Sequence, residues 1–286
     1  MNRRQFAGAT AAMLARAQGS RKPNFIFVLA DDMGYGDLGC YGAQGYKTPN
    51  IDRMAAEGAR FTDYYAPAPV CTPTRSAIMT GCYPARVGLA HRVLFPYSTT
   101  GLHPEEITVA EVLRGAGYRT GCIGKWHLGH LDKFLPTRQG FDFYFGVPYS
   151  NDMHQANYAQ LAFKAPPLPL MRGNDVIERG PDQSLLTRRY TEQALEFVRG
   201  NKEQPFFLYL PHSMPHVPIY PSDRFAGKSQ HGRYGDVIEE LDWSMGEILA
   251  ELKRLNLDEQ TMVMFASDNG GVVWEGMGQR GYKSGS

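Results

Sequence analysis

Asn24-Phe25-Ile26-Phe27-Val28-Leu29-Ala30-Asp31-Asp32 is the stretch that sets the fold class. A continuous apolar run of this length suits a strand buried on both faces, as in a parallel sheet. It breaks off at two adjacent carboxylates, followed by Met33-Gly34-Tyr35-Gly36. Downstream, helical and strand patterns alternate. Residues 50–57 predict a helix with Asn50 as N-cap and Gly58 just past its end. Thr108-Val109-Ala110-Glu111 is a capping box that opens a helix ending near Gly115 or Gly117, and Tyr118 to Ile123 reads as the next strand. Residues 184–199 form a helix stopped by Gly200, and Phe206 to Leu210 is a second buried-type strand. Tyr234 to Leu255 is an amphipathic helix whose Val237, Leu241, Met245, Ile248, Leu252 and Leu255 step by four and three. Thr261 to Ala266 is a last strand, ending in Ser267-Asp268-Asn269. This order predicts an α/β fold: a mostly parallel central sheet sandwiched by helices, with right-handed crossovers. The Pro-rich segment Ala165 to Leu170 reads as a surface excursion between units.

The bulk numbers are those of an ordinary globular chain. Of 286 residues, 43% are hydrophobic and 21% charged, and 30 Lys and Arg stand against 29 Asp and Glu. That balance carries no electrostatic footprint for nucleic acid or an anionic membrane, and no apolar run is long enough to span a bilayer. Asn2-Arg3-Arg4-Gln5-Phe6, the small apolar stretch Ala7 to Ala15 and the cleavage-like Ala15-Arg16-Ala17 read residues 1–17 as a twin-arginine-type signal peptide. The expected location is periplasmic or secreted, with the twin-arginine export machinery as a partner. Of four cysteines, Cys40, Cys82 and Cys122 read as small buried residues.

Ligands of open α/β sheets bind beyond the carboxyl ends of the strands, and two strands here end in oxygen-rich doublets, Asp31-Asp32 and Asp268-Asn269. Hard oxygen donors suit Ca²⁺ or Mg²⁺. Two carboxylates about 4 Å apart repel by roughly 4 kcal/mol at an effective dielectric of 20, which a divalent cation would relieve. Either doublet alone reads as a solvated turn; the pair favours a metal. Cys71 precedes a helix for which Thr72 is the expected N-cap and Pro73 the first residue, so an anion is favoured beside it. Arg75 lies one turn on and can reach back toward residue 71. A structural cysteine and a helix-activated thiolate are the alternatives, although the cysteine-phosphatase loop is Cys-x5-Arg and this one is Cys-x3-Arg. Lys125 and His127, after the strand at 118–123, point to one side if the chain stays extended. His212 and His216 follow the strand at 206–210; one of them can be structural.

Cys71-Thr72-Pro73-Thr74-Arg75, followed by Ser76-Ala77-Ile78-Met79-Thr80-Gly81, resembles the C-x-P-x-R sequence at which type I sulfatases convert cysteine to formylglycine. The order of motifs resembles that arylsulfatase-like family of the alkaline phosphatase superfamily from about residue 23 to residue 286. The resemblance implies hydrolysis of a sulfate ester through a formylglycine (3-oxoalanine) hydrate derived from Cys71 and a divalent cation, Ca²⁺ before Mg²⁺. Its metal ligands would be Asp31, Asp32, residue 71, Asp268 and Asn269. Arg75 would steady the hydrate, and Lys125 and His127 match the Lys-Trp-His-Leu-Gly motif. Ser150, His216 and Lys283 match substrate-binding positions, His216 better than His212. A formylglycine-generating or sulfatase-maturating enzyme is the implied partner, and a small-molecule or saccharide sulfate ester the implied substrate. A formylglycine-dependent phosphonate or phosphate ester hydrolase and a non-catalytic anion-binding protein of the same fold are the alternatives. Residues 23–286 are expected to be the N-terminal catalytic domain, incomplete at the C-terminus, where family members carry a further subdomain with a small antiparallel sheet. Thr74 stands where Ser is commonest, which keeps the hydroxyl.

Overall fold

The computed structural model describes residues 21–154 and 165–271. Among the described residues seven strands form one sheet: β1 (Asn24–Ala30), β2 (Arg119–Lys125), β3 (Phe143–Val147), β4 (Pro169–Arg172), β5 (Asp175–Arg179), β6 (Phe206–Pro211) and β7 (Thr261–Ser267). They lie in the order β5-β4-β3-β2-β6-β1-β7. The β3-β2-β6-β1-β7 block is parallel, and β4 and β5 add antiparallel pairs at one margin. Every residue of β6 is buried, whereas β7, at the other margin, is half-exposed.

Five α-helices accompany the sheet: α1 (Pro49–Glu57), α2 (Cys71–Thr80), α3 (Val109–Gly115), α4 (Leu186–Gly200) and α5 (Gly232–Arg254). Strand side chains alternate between faces, so two cores form. On one face Ile26, Val28, Leu208 and Leu210 pack with Tyr190 and Phe197 of α4 and with the predicted stripe of α5. On the other, Leu29, Phe207 and Tyr209 pack with Met79 of α2 and Trp126. The α3 capping box is present as predicted, with Thr108 accepting from the Glu111 N–H and Glu111 accepting from the Thr108 N–H.

Four expectations are corrected. The segment at 165–170 is not a surface excursion: Ala165, Leu168 and Leu170 are buried, and Pro169 opens β4. Proline is tolerated as the first residue of a strand, where its missing N–H breaks no ladder. Helix α1 starts at Pro49 with Thr48 as N-cap, because the Asn50 and Ile51 N–H groups donate instead to the Asp242 carboxylate of α5. Thr72 is not the cap of α2: the helix begins at Cys71 after Val70, and the Thr72 hydroxyl donates to the His127 carbonyl at 2.8 Å. All four cysteines are unpaired, but only Cys71 and Cys122 are buried; Cys40 and Cys82 are half-exposed.

Candidate active site

The parallel block brings the chemistry-bearing residues to one edge. Asp31 and Asp32 follow β1, Lys125 is the last residue of β2, Ser150 lies just after β3, His216 after β6, and Asp268 and Asn269 after β7. Cys71 and Arg75 come from the first turns of α2, whose N-terminus faces this edge with its partial positive charge. Gly124 makes the convergence possible. Its φ is +129°, and a Cβ there would lie 1.9 Å from the Pro211 carbonyl oxygen, so only glycine lets β2 run this close to the end of β6.

Arg75 is fully buried and acts as the hub. Its Nη2 lies 3.0 Å from Asp31 Oδ1 and 3.0 Å from Asp268 Oδ2, and its Nη1 donates to the Lys125 carbonyl at 2.7 Å. The expectation that Arg75 reaches back to residue 71 missed this arrangement: the guanidinium ties β1, β2 and β7 together. Lys125 Nζ lies 2.5 Å from Asp31 Oδ2, 3.1 Å from Ser150 Oγ and 3.4 Å from Cys71 Sγ. Cys71 Sγ is also 3.4 Å from Asp31 Oδ1. His216 Nε2 is 3.5 Å from both Asp32 Oδ2 and Ser150 Oγ.

His127 enters by a different route from the one expected. Strand β2 stops at Lys125, and His127 takes φ +59°, so the extended chain does not continue. Its Nε2 lies 2.9 Å from the Leu94 carbonyl, which only accepts, so Nε2 carries the proton and Nδ1 keeps its lone pair. Nδ1 is buried and unpartnered among the described residues. Burial, with Lys125 and Arg75 nearby, holds the imidazole neutral, well below its ordinary pKa. His212 is elsewhere, packed 6.2 Å from the Tyr190 ring with Nε2 3.4 Å from Ser244 Oγ. Lys283 and residues 1–17 lie outside the described residues.

The electrostatics show which kind of group the cluster suits. Carboxylate oxygens of Asp31, Asp32 and Asp268 all lie within 4.8 Å of one another. Burial would raise the Asp31 pKa, but Lys125 and Arg75 outweigh it and hold the carboxyl well below the usual range. Asp268 is pushed up to about 7 by burial and by the Asp31 charge, against the pull of Arg75. Asp32 is raised as well, by burial foremost. With all three carboxylates ionised, Arg75 and Lys125 would leave negative charge in excess, which is part of why Asp32 and Asp268 are raised. Asn269 adds an amide oxygen that is buried and has no hydrogen-bond partner among the described residues. This oxygen-only donor set fits a hard divalent cation. Burial and the Asp31 charge hold the Cys71 thiol protonated, the opposite of what a thiolate nucleophile requires.

The sulfatase family model matches residues 23–286. Arylsulfatase A of Homo sapiens is 42% identical over 278 residues, with 90% of this chain and 54% of that protein covered. N-acetylgalactosamine-6-sulfatase of Canis lupus familiaris is 39% identical over 290 residues, with 95% and 55% covered. Among solved structures, a sulfatase from Pseudoalteromonas sp. superposes with a TM-score of 0.77 at 30% identity, over 94% of this chain and 59% of that one. The chain spans about half the length of the curated relatives it matches. A match that runs through both oxygen-rich strand ends and the Cys71 helix, at these identities, means that the chain belongs to the sulfatase family.

Proposed function

We propose that the protein hydrolyses sulfate esters with an aldehyde made from Cys71 and a Ca²⁺ ion, or Mg²⁺ in its place, held by Asp31, Asp32, Asp268 and Asn269. The observation that carries this reading is the position of Cys71 Sγ, at the N-terminus of α2 and 3.4 Å from both a carboxylate of the acidic cluster and the Lys125 ammonium. Water adding to a formylglycine at this position gives a geminal diol, one hydroxyl of which is the oxygen nucleophile, and the cation would supply a Lewis acid for the sulfate oxygens.

The chain's own residues do the rest. Lys125, Ser150 and His216 form a donor-rich wall that binds sulfate oxygens and balances the charge developing on them. Arg75 fixes both Asp31 and Asp268 and favours their ionised forms, against the burial and mutual repulsion that raise Asp268. The His127 Nδ1 lone pair accepts a proton from residue 71, and its tautomer is already set by the Leu94 carbonyl. Lys283 is the proposed second sulfate-binding lysine. The relatives' names include arylsulfatase, steryl-sulfatase and N-acetylgalactosamine-6-sulfatase, which supports a sulfate monoester on an alcohol, phenol or sugar as substrate. The twin-arginine-type leader at residues 1–17, periplasmic or secreted location and a maturating enzyme for Cys71 belong to the same proposal. Among the described residues no helix is long and apolar enough to cross a membrane.

Peptide mass spectrometry on protein from its natural host, run beside an aryl sulfate assay, tests this. Conversion of Cys71 should lower the peptide mass by about 18 Da, with one sulfur and two hydrogens lost and one oxygen gained. A full-length protein that turns over sulfate at full rate with an intact thiol at 71 would overturn the mechanism. One that cleaves an aryl phosphonate far faster than an aryl sulfate would overturn the substrate class.

A further inference from the structure

Ser150 and His216 come from different loops, after β3 and after β6, and must meet within 3.5 Å to share a substrate oxygen. Each loop is tied to the strands beneath it. The His127 N–H donates to the Pro148 carbonyl, and the Asp31 N–H to the Met214 carbonyl. Among the described residues, no main-chain hydrogen bond joins one loop to the other. The tie comes from Asn151, the neighbour of Ser150 and fully buried. Its Nδ2 donates to the Pro218 carbonyl of the His216 loop at 3.3 Å and to Gln183 Oε1 at 3.0 Å. Gln183 Nε2 donates back to the Asn151 carbonyl at 3.1 Å. Gln183 opens the turn that leads into α4, and it is anchored there: the preceding Asp182 carboxylate accepts from the Ser184 N–H at 3.0 Å.

Two amides thus bracket both strands' trailing loops and brace them on the start of α4. We infer that Asn151, braced by Gln183, is a positioning residue that sets the Ser150 hydroxyl against His216 and Lys125. This rests on the proposed sulfate ester hydrolysis and names a device within it that the sequence motifs do not contain. Neither amide contacts the acidic cluster, so the clamp acts on substrate geometry and not on the cation. If Ser150 drifts by an ångström, the wall formed with Lys125 and His216 opens, and misplacement on that scale costs on the order of 100-fold in rate.

Asn151→Leu alone would leave Gln183 Oε1 and the Pro218 carbonyl without a donor, a defect that costs stability whatever the clamp does. The double substitution Asn151→Leu with Gln183→Met removes the stranded Gln183 amide but still leaves the Pro218 and residue-151 carbonyls without a donor, so its activity is read only on protein shown to be folded. In the matured full-length protein, this double variant should unfold at a lower denaturant midpoint than wild type but remain folded without denaturant. Its kcat/KM on an aryl sulfate should nonetheless fall by about 10- to 100-fold, and competitive inhibition by inorganic sulfate should weaken in parallel. The His216 ring ¹⁵N resonances, read by NMR without any turnover, should shift in the same variant. A double variant with wild-type kcat/KM, sulfate inhibition and His216 resonances reduces Asn151 to packing and overturns the inference. Wild-type protein that cleaves no sulfate ester while the His216 resonances still move with the double substitution would sink the hydrolase reading and leave the clamp standing.

Discussion

The two ends of the parallel strands are built on opposite electrostatic terms. At the carboxyl end, Asp31, Arg75, Lys125 and Asp268 have no exposed side-chain surface, and their contacts run from 2.5 to 3.0 Å. At the amino end, Arg119 of β2 faces Asp142 across 3.7 Å with its side chain 48% exposed. Exposed pairs contribute little because water already solvates both partners. Buried networks are held in place by mutual dependence: removing one member strands the others without solvent. The fold therefore spends its stability at one end to hold reactive charges where water cannot screen them.

Removing the hub should produce the largest effect. Arg75→Leu leaves Asp31 and Asp268 buried without their cationic partner, and urea unfolding should show a loss of about 3–5 kcal/mol. A loss under about 1 kcal/mol would mean that the two ends do not differ in kind. Stripping the cation comes next. With free Ca²⁺ at about 100 times its Kd, the folded state should gain about 2.7 kcal/mol over chelator-treated protein, and an Asp268→Asn, Asn269→Ala variant should gain far less. Equal calcium-dependent shifts in both proteins would move the cation to another site.

His212 sharpens the boundary of the buried end. Four residues before His216, it lies outside the cluster, and burial brings its imidazole down to about 3. The unfolded chain binds that proton near pH 6.5, the folded chain only near pH 3. Stability contributed by the neutral ring is therefore complete above pH 6.5 and falls as pH drops through that window, by up to about 1.4 kcal/mol per unit. The difference in unfolding free energy between wild type and His212→Gln, measured from pH 7 to pH 5, should change with that sign; a flat difference would show that His212 is protonated or solvated in the folded state. The smallest effect is expected at the other end. Arg119→Ala should change stability by about 0.5 kcal/mol, with less effect still at high salt.

Much of this was legible from residues alone, and the failures have physical causes. Strand β1 and the α5 stripe could be read because burial on both faces, or along one helix face, writes itself into hydrophobic order. The oxygen doublets could be read because strand ends in such a sheet are functional by geometry. Strands β4 and β5 could not: β4 hides behind prolines, and β5 is largely exposed at the margin with no alternation to betray it. Arg75 was placed by its distance along a helix, yet its partners come from Asp31 and Asp268, 44 and 193 residues away. The His127 tautomer depends on Leu94, and the Asn151 amide on Gln183 and Pro218. Such pairings are set by folding and leave no spacing in the chain.

The proposed oxygen ligands follow β1, in the interior of the sheet, and β7, at its margin among the described residues, with the Asp32 N–H donating to Asp268 Oδ1 at 3.1 Å across 236 residues of sequence. During synthesis the first pair leaves the ribosome early, and the second only after almost everything else described here. A nascent chain halted before Thr261 would hold only half of the proposed cage. On the proposed reading, loading would be timed by the docking of β7, and a bound ion would certify that β7 has joined β1.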